Sequence, residues 1–466
     1  MGADPNLFAI VMLVAWPAIA MCLYSMRPVN QATIWTILGG YLLLPVGAMI
    51  KFEMIPAFDK NTIPALAALV GCVVVTRRVP RLMQGFGLAD ILIIMLLVGP
   101  FITSELNGDT VVIGDIVLPG VGHYDAASAA ISQLMLLLPF ILGRQFIRSS
   151  QDHADIPRIL VIAGLAYSLP MLFEVRMTPQ LHTWIYGYFP HSFFQQLRDG
   201  GFRPVVFLGH GLLVAFFAMT TAVAAAALWR TQTTINRLPP AGVTAYLSVI
   251  LILCRSLGSL VYGVVLIPLV RLATPRFQLR VAGVLVAVAL LYPMLRTMDV
   301  FPTSLILEAA HSVSAERAES LNKRFEQEKM LLEHASERLL FGWGRFGRSR
   351  VLHESGQDIS VTDGYWIITV GTSGLFGFLA TFALLAWPIF RAALTVKLTE
   401  SAQDGVFLAA LGLILAIGTV DLLPNASVSP WTWLLAGALL GRTESLSLER
   451  NRASRGGGGK ERFNLP

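Results

Sequence analysis

The sequence predicts an all-α fold, a polytopic transmembrane bundle of about 12–13 helices with a long, partly helical outer loop. Hydrophobic residues make up 55% of the 466 residues and charged residues only 14%, against roughly 25% charged in an ordinary soluble domain. The mean hydropathy is +0.65, and the apolar residues gather in runs separated by short polar segments. One soluble core cannot bury that much apolar surface, so lipid must cover much of it.

The apolar runs define thirteen candidate helices in chain order, at about 20 residues each once short runs are extended by their flanks. The first run is interpreted as a membrane helix, because no Lys or Arg precedes Arg27 to form the basic start of a signal peptide. The runs are Leu7–Met26, Ala32–Ile50, Ile63–Thr76, Leu88–Thr103, Ala126–Leu142, Ile159–Leu172, Phe207–Leu228, Ala241–Cys254, Ser256–Val270, Val281–Leu295, Trp366–Phe390, Val406–Leu423 and Pro430–Leu440.

The distribution of basic residues predicts the orientation. If the runs alternate in direction, 20 of the 35 Lys and Arg residues fall on one side and 7 in the short loops of the other. The remaining 8 lie in one long loop, which the positive-inside rule largely ignores. The N-terminus is therefore predicted outside and the C-terminus inside. This orientation requires two helices flanking Arg255, because a single helix there would break the alternation.

The same pattern divides the chain into four parts. Residues 1–297 carry the N-terminal membrane helices, including an outer loop at 177–206 that is rich in aromatic residues. Residues 298–365 form a long outer loop with an amphipathic helix, and residues 366–441 hold the C-terminal membrane helices. Residues 442–466, with four consecutive glycines, are predicted to be a disordered inner tail.

Composition also excludes several classes of protein. The three cysteines lie inside or beside apolar runs and lack metal-ligand spacing, so neither a disulfide, a metal site nor a cofactor is expected. The basic residues form short clusters rather than one stripe, which argues against nucleic acid as a partner. The phosphate-binding and zinc-protease motifs are absent, and so is a DxD pair in the outer loops.

Arginines near outer helix ends are the first candidate site. Arg198, Arg203 and His210 lie in QQLRDGGFRPVVFLGH, and Arg255 lies between two apolar runs on the same side. Arginine forks bind phosphate oxygens bidentately and stay charged. The alternative is that these residues only anchor helix ends at the membrane interface, or that Arg255 snorkels from a tight turn.

The amphipathic helix predicted at about 315–340 supplies the second candidate. Glu328 occupies a position in its apolar stripe, between Phe325 and Leu332, and Arg324 precedes it by one turn. A carboxylate on an apolar face has a raised pKa and requires a partner. The simpler interpretation is an Arg324–Glu328 ion pair worth a few tenths of a kcal/mol.

The third candidate follows that helix. A glycine-rich FGWGRFGR segment adds Arg345 to a cationic cluster, and His353 and Asp363 follow it. Both side chains are candidates for a general base.

The order of these motifs resembles the O-antigen ligase and O-antigen polymerase superfamily of bacterial polytopic membrane proteins. The features are an outer Arg-Pro, a Gly-His before a helix and an Arg-Ser between two helices. Then come LLFGWG at the end of the long loop, Asp363-Gly364-Tyr365, and the helix segment GTSGLFG. The resemblance covers roughly residues 198–390, and the hydropathy pattern matches beyond it.

This resemblance implies a metal-independent glycosyltransferase in the bacterial inner membrane, with a periplasmic N-terminus and a cytoplasmic C-terminus. Its donor would be a glycan on polyprenyl (undecaprenyl) pyrophosphate, and its acceptor lipid A core or a saccharide, in lipopolysaccharide or other envelope polysaccharide synthesis. Arg203, Arg255 and Arg324 would match the pyrophosphate-binding arginines of the family. A His-Asn pair usual in the family is here Thr362-Asp363, so the base is left open among Asp363, Glu328 and His353.

Two other classes of function compete with this one. A lipid-linked glycan flippase or transporter is expected to have charges near mid-bilayer, broken helices or two related halves. A non-catalytic envelope-assembly subunit would keep the arginines and tolerate loss of every candidate base.

Overall fold

The computed structural model describes residues 4–52, 55–198, 200–235 and 237–457, and these residues form sixteen α-helices. The helices are α1 (Leu7–Met26), α2 (Val29–Leu43), α3 (Thr62–Val74), α4 (Leu88–Glu105), α5 (His123–Phe146), α6 (Ser150–Arg176), α7 (Leu181–Tyr186), α8 (Gly211–Arg230), α9 (Pro240–Leu253), α10 (Leu257–Leu272), α11 (Pro275–Thr297), α12 (Thr303–Val313), α13 (Ala315–Ser336), α14 (Tyr365–Thr395), α15 (Ala402–Asp421) and α16 (Pro430–Gly457).

Three antiparallel hairpins are the sheet structure of these residues. They pair β1 (Met49–Ile50) with β2 (Phe58–Asp59), β3 (Val111–Ile113) with β4 (Ile116–Leu118), and β5 (Leu197–Arg198) with β6 (Gly201–Phe202).

The all-α membrane fold predicted from the sequence is confirmed. Every predicted apolar run forms a helix, and the remaining helices α7, α12 and α13 belong to the two long loops. In the described part of the chain, 8 helices are long and apolar enough to cross a membrane, and α3, α9 and α10 are shorter apolar helices. Flanking residues extend most runs, because polar N-caps such as Ser149 and Ser401 begin the helices outside their apolar segments.

Buried ion pairs join the helices at one end of the bundle, which we call the basic end. Arg144 in α5 pairs with Asp90 at the start of α4 (2.8 Å) and with Glu444 in α16 (2.7 Å). Arg442 in α16 pairs with Asp404 in α15 at 2.7 Å. Because Arg442 is buried among these partners, α16 continues to Gly457.

This continuation differs from the predicted tail. Residues 442–457 are helical where the sequence predicts disorder from 442 onward. The contacts of Arg442 supply the physical reason, since a buried ion pair holds the helix to the bundle. Residues 458–466 lie outside the described residues.

The opposite end, which we call the loop end, carries the long loops. At the basic end, Arg230 at the end of α8 donates to the carbonyl oxygen of Val270 near the end of α10 (2.8 Å). The ends of α8 and α10 therefore lie together. At the loop end, Arg203 Nε before α8 donates to the carbonyl oxygen of Arg255, between α9 and α10, at 3.0 Å. Both α9 and α10 therefore run between the two ends, so two helices rather than one flank Arg255.

Helix α14 is broken near its start. Gly374 has φ 67° and ψ −171°, which is not helical. Residues 339–344 run along the break: the N–H groups of Trp343 and Gly344 donate to the carbonyl oxygens of Gly371 (2.8 Å) and Thr372 (2.9 Å). The predicted run is continuous over Trp366–Phe390, but the break divides it and leaves its backbone groups bonded to a neighbouring loop.

Candidate functional site

A cavity of about 1660 Å³ opens at the loop end. Its walls come from the start of α8, the start of α10, helix α13, the segment before α14 and the end of α15. It brings together four of the residues predicted from the sequence, although they lie far apart along the chain. These residues are Arg203, His210, Arg324 and Asp363.

One side of the cavity, the basic wall, is formed by His191, Arg203 and His210. Arg203 is half-buried, and its Nε donates to the carbonyl oxygen of Arg255. That bond places the Arg255 backbone directly behind the wall. Arg255 itself turns the chain sharply, with φ 50°, and Ser256 next to it lines the cavity.

Two glycines permit this arrangement. A Cβ atom added at Gly201 would lie 2.4 Å from the guanidinium carbon of Arg255, so the arginine rests against the glycine backbone. A Cβ atom at Gly211 would lie 2.8 Å from Cβ of Arg203. The glycines of this region therefore provide close approach for both arginines.

His210 caps helix α8. Its Nδ1 accepts a hydrogen bond from the backbone N–H of Leu212 at 3.0 Å, so the neutral ring carries its hydrogen on Nε2. The His191 ring packs edge-on against it, with centroids 4.9 Å apart. A neutral N–H donor at a helix start adds to the positive end of the helix dipole, and both favour an anion.

Helix α13 forms another wall of the cavity and contributes Glu316, Glu319 and Glu326 together with Lys323 and Arg324. Glu319 is paired with Lys323 at 2.7 Å, one helical turn away. This wall therefore carries charges of both signs, whereas the basic wall carries a guanidinium and two imidazoles.

Arg324 connects α13 to the segment before α14. Its Nε lies 3.3 Å from Oδ2 of Asp363, and its Nη1 donates to the carbonyl oxygen of Pro424 at 3.1 Å. The predicted Arg324–Glu328 ion pair is therefore wrong, because the two side chains take separate partners. The geometry makes Asp363 a cavity carboxylate that is oriented by an arginine.

Asp421 is a cavity residue that sequence analysis did not include in the site. It ends α15, where it accepts hydrogen bonds from Asn425 (3.1 Å) and Ser427 (3.2 Å). These residues also line the cavity, together with Tyr262. Its signal in the sequence was a single acidic residue at the outer end of an apolar run, which by itself does not distinguish a cap from a site.

Glu328 lies behind the cavity rather than in its wall. Only 9% of the residue is exposed. Its carboxylate accepts hydrogen bonds from Tyr292 (2.9 Å) and Trp366 (3.3 Å) and lies 3.5 Å from Nε of Arg296. Burial raises the pKa of Glu328, as its place in the apolar stripe predicts. Both oxygens have donors, so the arrangement favours a role in docking α13 onto α11 and α14.

The other predicted residues lie elsewhere. His353 is exposed and contacts Ser355, with Nδ1 and Oγ 3.0 Å apart. Arg345 lines a separate cavity of about 680 Å³ beside the break in α14. Arg198 ends β5, but its side chain is outside the described part of the structure. The structure therefore does not bring His353 or Arg345 into the large cavity.

The two loop-end cavities are neighbours. Thr362 lines both of them, and Asp363 follows it on the side of the larger one. The arrangement can hold an anion against the basic wall and a hydroxyl-bearing group near Asp363. Comparison with protein-family models gives no match, and comparison with curated proteins gives none either.

Proposed function

We propose that this protein is a glycosyltransferase that moves a glycan from a polyprenyl pyrophosphate carrier to a lipid or saccharide acceptor. The observation that carries the proposal is that Arg203, His210, Arg324 and Asp363 line one large loop-end cavity. Its opening at one end of an apolar helix bundle suits a substrate whose headgroup is polar and whose tail is lipid.

The chemistry follows from the two walls. Arg203, with Arg255 behind it, would neutralise the charge that develops on the departing pyrophosphate. A carboxylate on the other side would accept the proton of the acceptor hydroxyl as the new glycosidic bond forms. Asp363 is our choice for that base, because it lines the cavity whereas Glu328 and His353 do not.

A transfer assay tests the function directly. Purified protein is incubated with radiolabelled oligosaccharide on undecaprenyl pyrophosphate and with an extracted envelope-lipid acceptor fraction. We expect label to move to the acceptor with release of undecaprenyl pyrophosphate. Label that stays on the carrier with every acceptor fraction would contradict the proposal.

The cellular setting is part of the proposal. In it, the protein lies in the bacterial inner membrane, with the loop end in the periplasm and the basic end in the cytoplasm. The excess of basic residues at one end supports this orientation.

Cysteine labelling of intact cells checks the orientation. In a background without Cys22, Cys72 and Cys254, we expect Gln357→Cys to react with an impermeant thiol reagent and Gln151→Cys to react only after lysis. The neighbouring Gly356 is unsuitable for this substitution, because its φ is +79° and an added Cβ would meet Ile116 at 2.5 Å. The reverse labelling pattern would overturn the orientation.

Replacing the arginines of the proposed donor site by lysines tests whether their guanidinium groups bind the pyrophosphate. We expect Arg203→Lys and Arg255→Lys each to reduce transfer about tenfold or more, because a lysine keeps the charge and loses bidentate contact. The matched control is Arg276→Lys, an exposed residue at the basic end. Wild-type turnover in both test variants at equal protein levels would remove the arginines from the donor site.

Gly201→Ala tests the same site without changing a charge. The added methyl group would displace the Arg255 guanidinium, which is the end of a flexible side chain. We therefore expect unfolding stability close to that of the wild type and transfer reduced several-fold. Gly108→Ala is the control, since an added Cβ there meets no atom within 4 Å and the residue is not in the cavity lining. Equal activity of the two variants would contradict the role assigned to Arg255.

A lipid-linked glycan transporter is the second candidate, and the break in α14 favours it. Broken helices are typical of transporter binding sites. The break here is bonded to residues 339–344, and Thr372 and Ser373 beside it line the smaller loop-end cavity. Proteoliposomes that move the lipid-linked oligosaccharide between leaflets, but never release the carrier, would support transport instead of transfer.

A further inference from the structure

A separate cavity lies at the basic end, far from the candidate active site. It has a volume of about 690 Å³ and is formed by the segment between α3 and α4 and by the end of α5 with the residues after it. Three arginines line it, namely Arg78, Arg81 and Arg148, together with Gln84 and Gln145. No aspartate or glutamate is among the described residues of its lining.

These arginines differ from the other arginines at the same end. Arg144 and Arg442 are buried and paired with carboxylates of neighbouring helices. By contrast, in the described chain the guanidinium groups of Arg78, Arg81 and Arg148 make no ion pair. Three positive charges thus face one cavity whose lining contains no carboxylate, and an anion bound there would offset their mutual repulsion.

The amide side chains of the cavity organise the arginines. Gln84 Oε1 accepts from Nη1 of Arg148 at 2.7 Å, and Gln145 Oε1 accepts from the backbone N–H of Arg81 at 2.8 Å. Nε2 of Gln84 is buried and has no hydrogen-bond partner in the described structure. A bound oxyanion would accept hydrogen bonds from the guanidinium groups that line the cavity.

Exposed apolar side chains lie in the same segment as Arg78 and Arg81, and Val79 is one of the cavity's lining residues. Between α3 and α4, Val79 is 72% exposed, Leu82 is 41% exposed and Phe86 is 90% exposed. Apolar groups next to arginines at the end of a membrane bundle suit the boundary between lipid tails and headgroups. A soluble phosphate ester would make no use of them.

We propose that Arg78, Arg81 and Arg148 bind the phosphate of an anionic phospholipid headgroup at the basic end. The guanidinium forks hold the phosphate oxygens, Gln84 positions Arg148, and Val79, Leu82 and Phe86 contact the acyl chains. This site is independent of the glycosyltransferase proposal, because it lies at the other end of the bundle.

Native mass spectrometry of the full-length protein in detergent tests the site. The probes are phosphatidylglycerol, phosphatidylcholine and inorganic phosphate, each titrated separately. We expect saturable binding of phosphatidylglycerol, with roughly 30-fold weaker affinity in Arg78→Gln/Arg81→Gln, because each arginine near a membrane surface contributes about a factor of five. The control Arg276→Gln/Arg280→Gln removes the same charge from exposed residues of α11.

Each outcome decides the proposal. Phosphatidylglycerol binding that weakens only in the cavity variant supports it. Equal weakening in both variants would mean that net charge alone attracts the lipid, and would overturn the site. Binding of inorganic phosphate with the same affinity as phosphatidylglycerol would assign the cavity to a soluble phosphate instead. Equal binding of phosphatidylcholine and phosphatidylglycerol would exclude charge recognition.

Discussion

Replacing Gly374 by alanine is expected to prevent accumulation of folded protein. An added Cβ would lie 2.2 Å from the carbonyl oxygen of Leu340 and 2.4 Å from the backbone nitrogen of Phe341. These are backbone atoms, which cannot move aside as a side-chain end does. The φ of 67° with ψ of −171° is, moreover, a conformation essentially restricted to glycine. Together these effects are expected to cost more than about 3 kcal/mol in the free energy of unfolding.

Fluorescence-detected gel filtration with a thermal ramp measures this effect. Gly418→Ala is the matched control in α15, where an added Cβ would meet only Phe216 at an ordinary 3.7 Å. We expect the control to retain wild-type yield and melting temperature. If Gly374→Ala also stayed within about 2 °C of wild type, the broken conformation of α14 would not be needed for folding.

Asp363→Asn is expected to reduce transfer about 10²-fold, provided that Asp363 is the base. Asparagine keeps the size of the side chain and cannot accept the proton of the acceptor hydroxyl. The matched control is Asp358→Asn. Asp358 is 43% exposed and lies 3.5 Å from Arg350, while Asp363 is 42% exposed and lies 3.3 Å from Arg324. Only Asp363 of the two lines the large cavity.

Variants of His353, Glu328 and Asp421 test whether another side chain is the base. Near-normal transfer in His353→Ala is expected, because the ring is exposed and away from the cavity. Glu328→Gln is expected to lower the unfolding temperature, since Tyr292 and Trp366 both donate to the carboxylate. A large loss in Asp421→Asn with normal turnover in Asp363→Asn would move the base to Asp421. Loss in none of these variants would favour the assembly-subunit alternative.

The candidate site was only partly predictable from the sequence. Arg203 and His210 were predicted because charged or titratable groups at the outer ends of apolar runs are costly unless they have a function or a partner. Asp363 was predicted from its place after the glycine-rich segment, where the resembling family has a His-Asn pair. Asp421 was not included, because an acidic helix end has the same sequence signature whether it caps a turn or lines a cavity. Arg345 and His353 were included as titratable groups near a glycine-rich loop, but their distance from the cavity depends on how residues 339–358 fold.

By itself, the sequence determined the all-α membrane class and the positions of the apolar helices. These features depend on hydrophobic runs and local charge, which are readable one segment at a time. Only the tertiary structure decided which side chains meet: Arg324 pairs with Asp363 instead of Glu328, residues 339–344 bond to the break in α14, and α16 extends past Arg442. Such pairings join residues that are remote in sequence. A local sequence pattern cannot distinguish between several possible partners, so the packing of the whole chain selects among them.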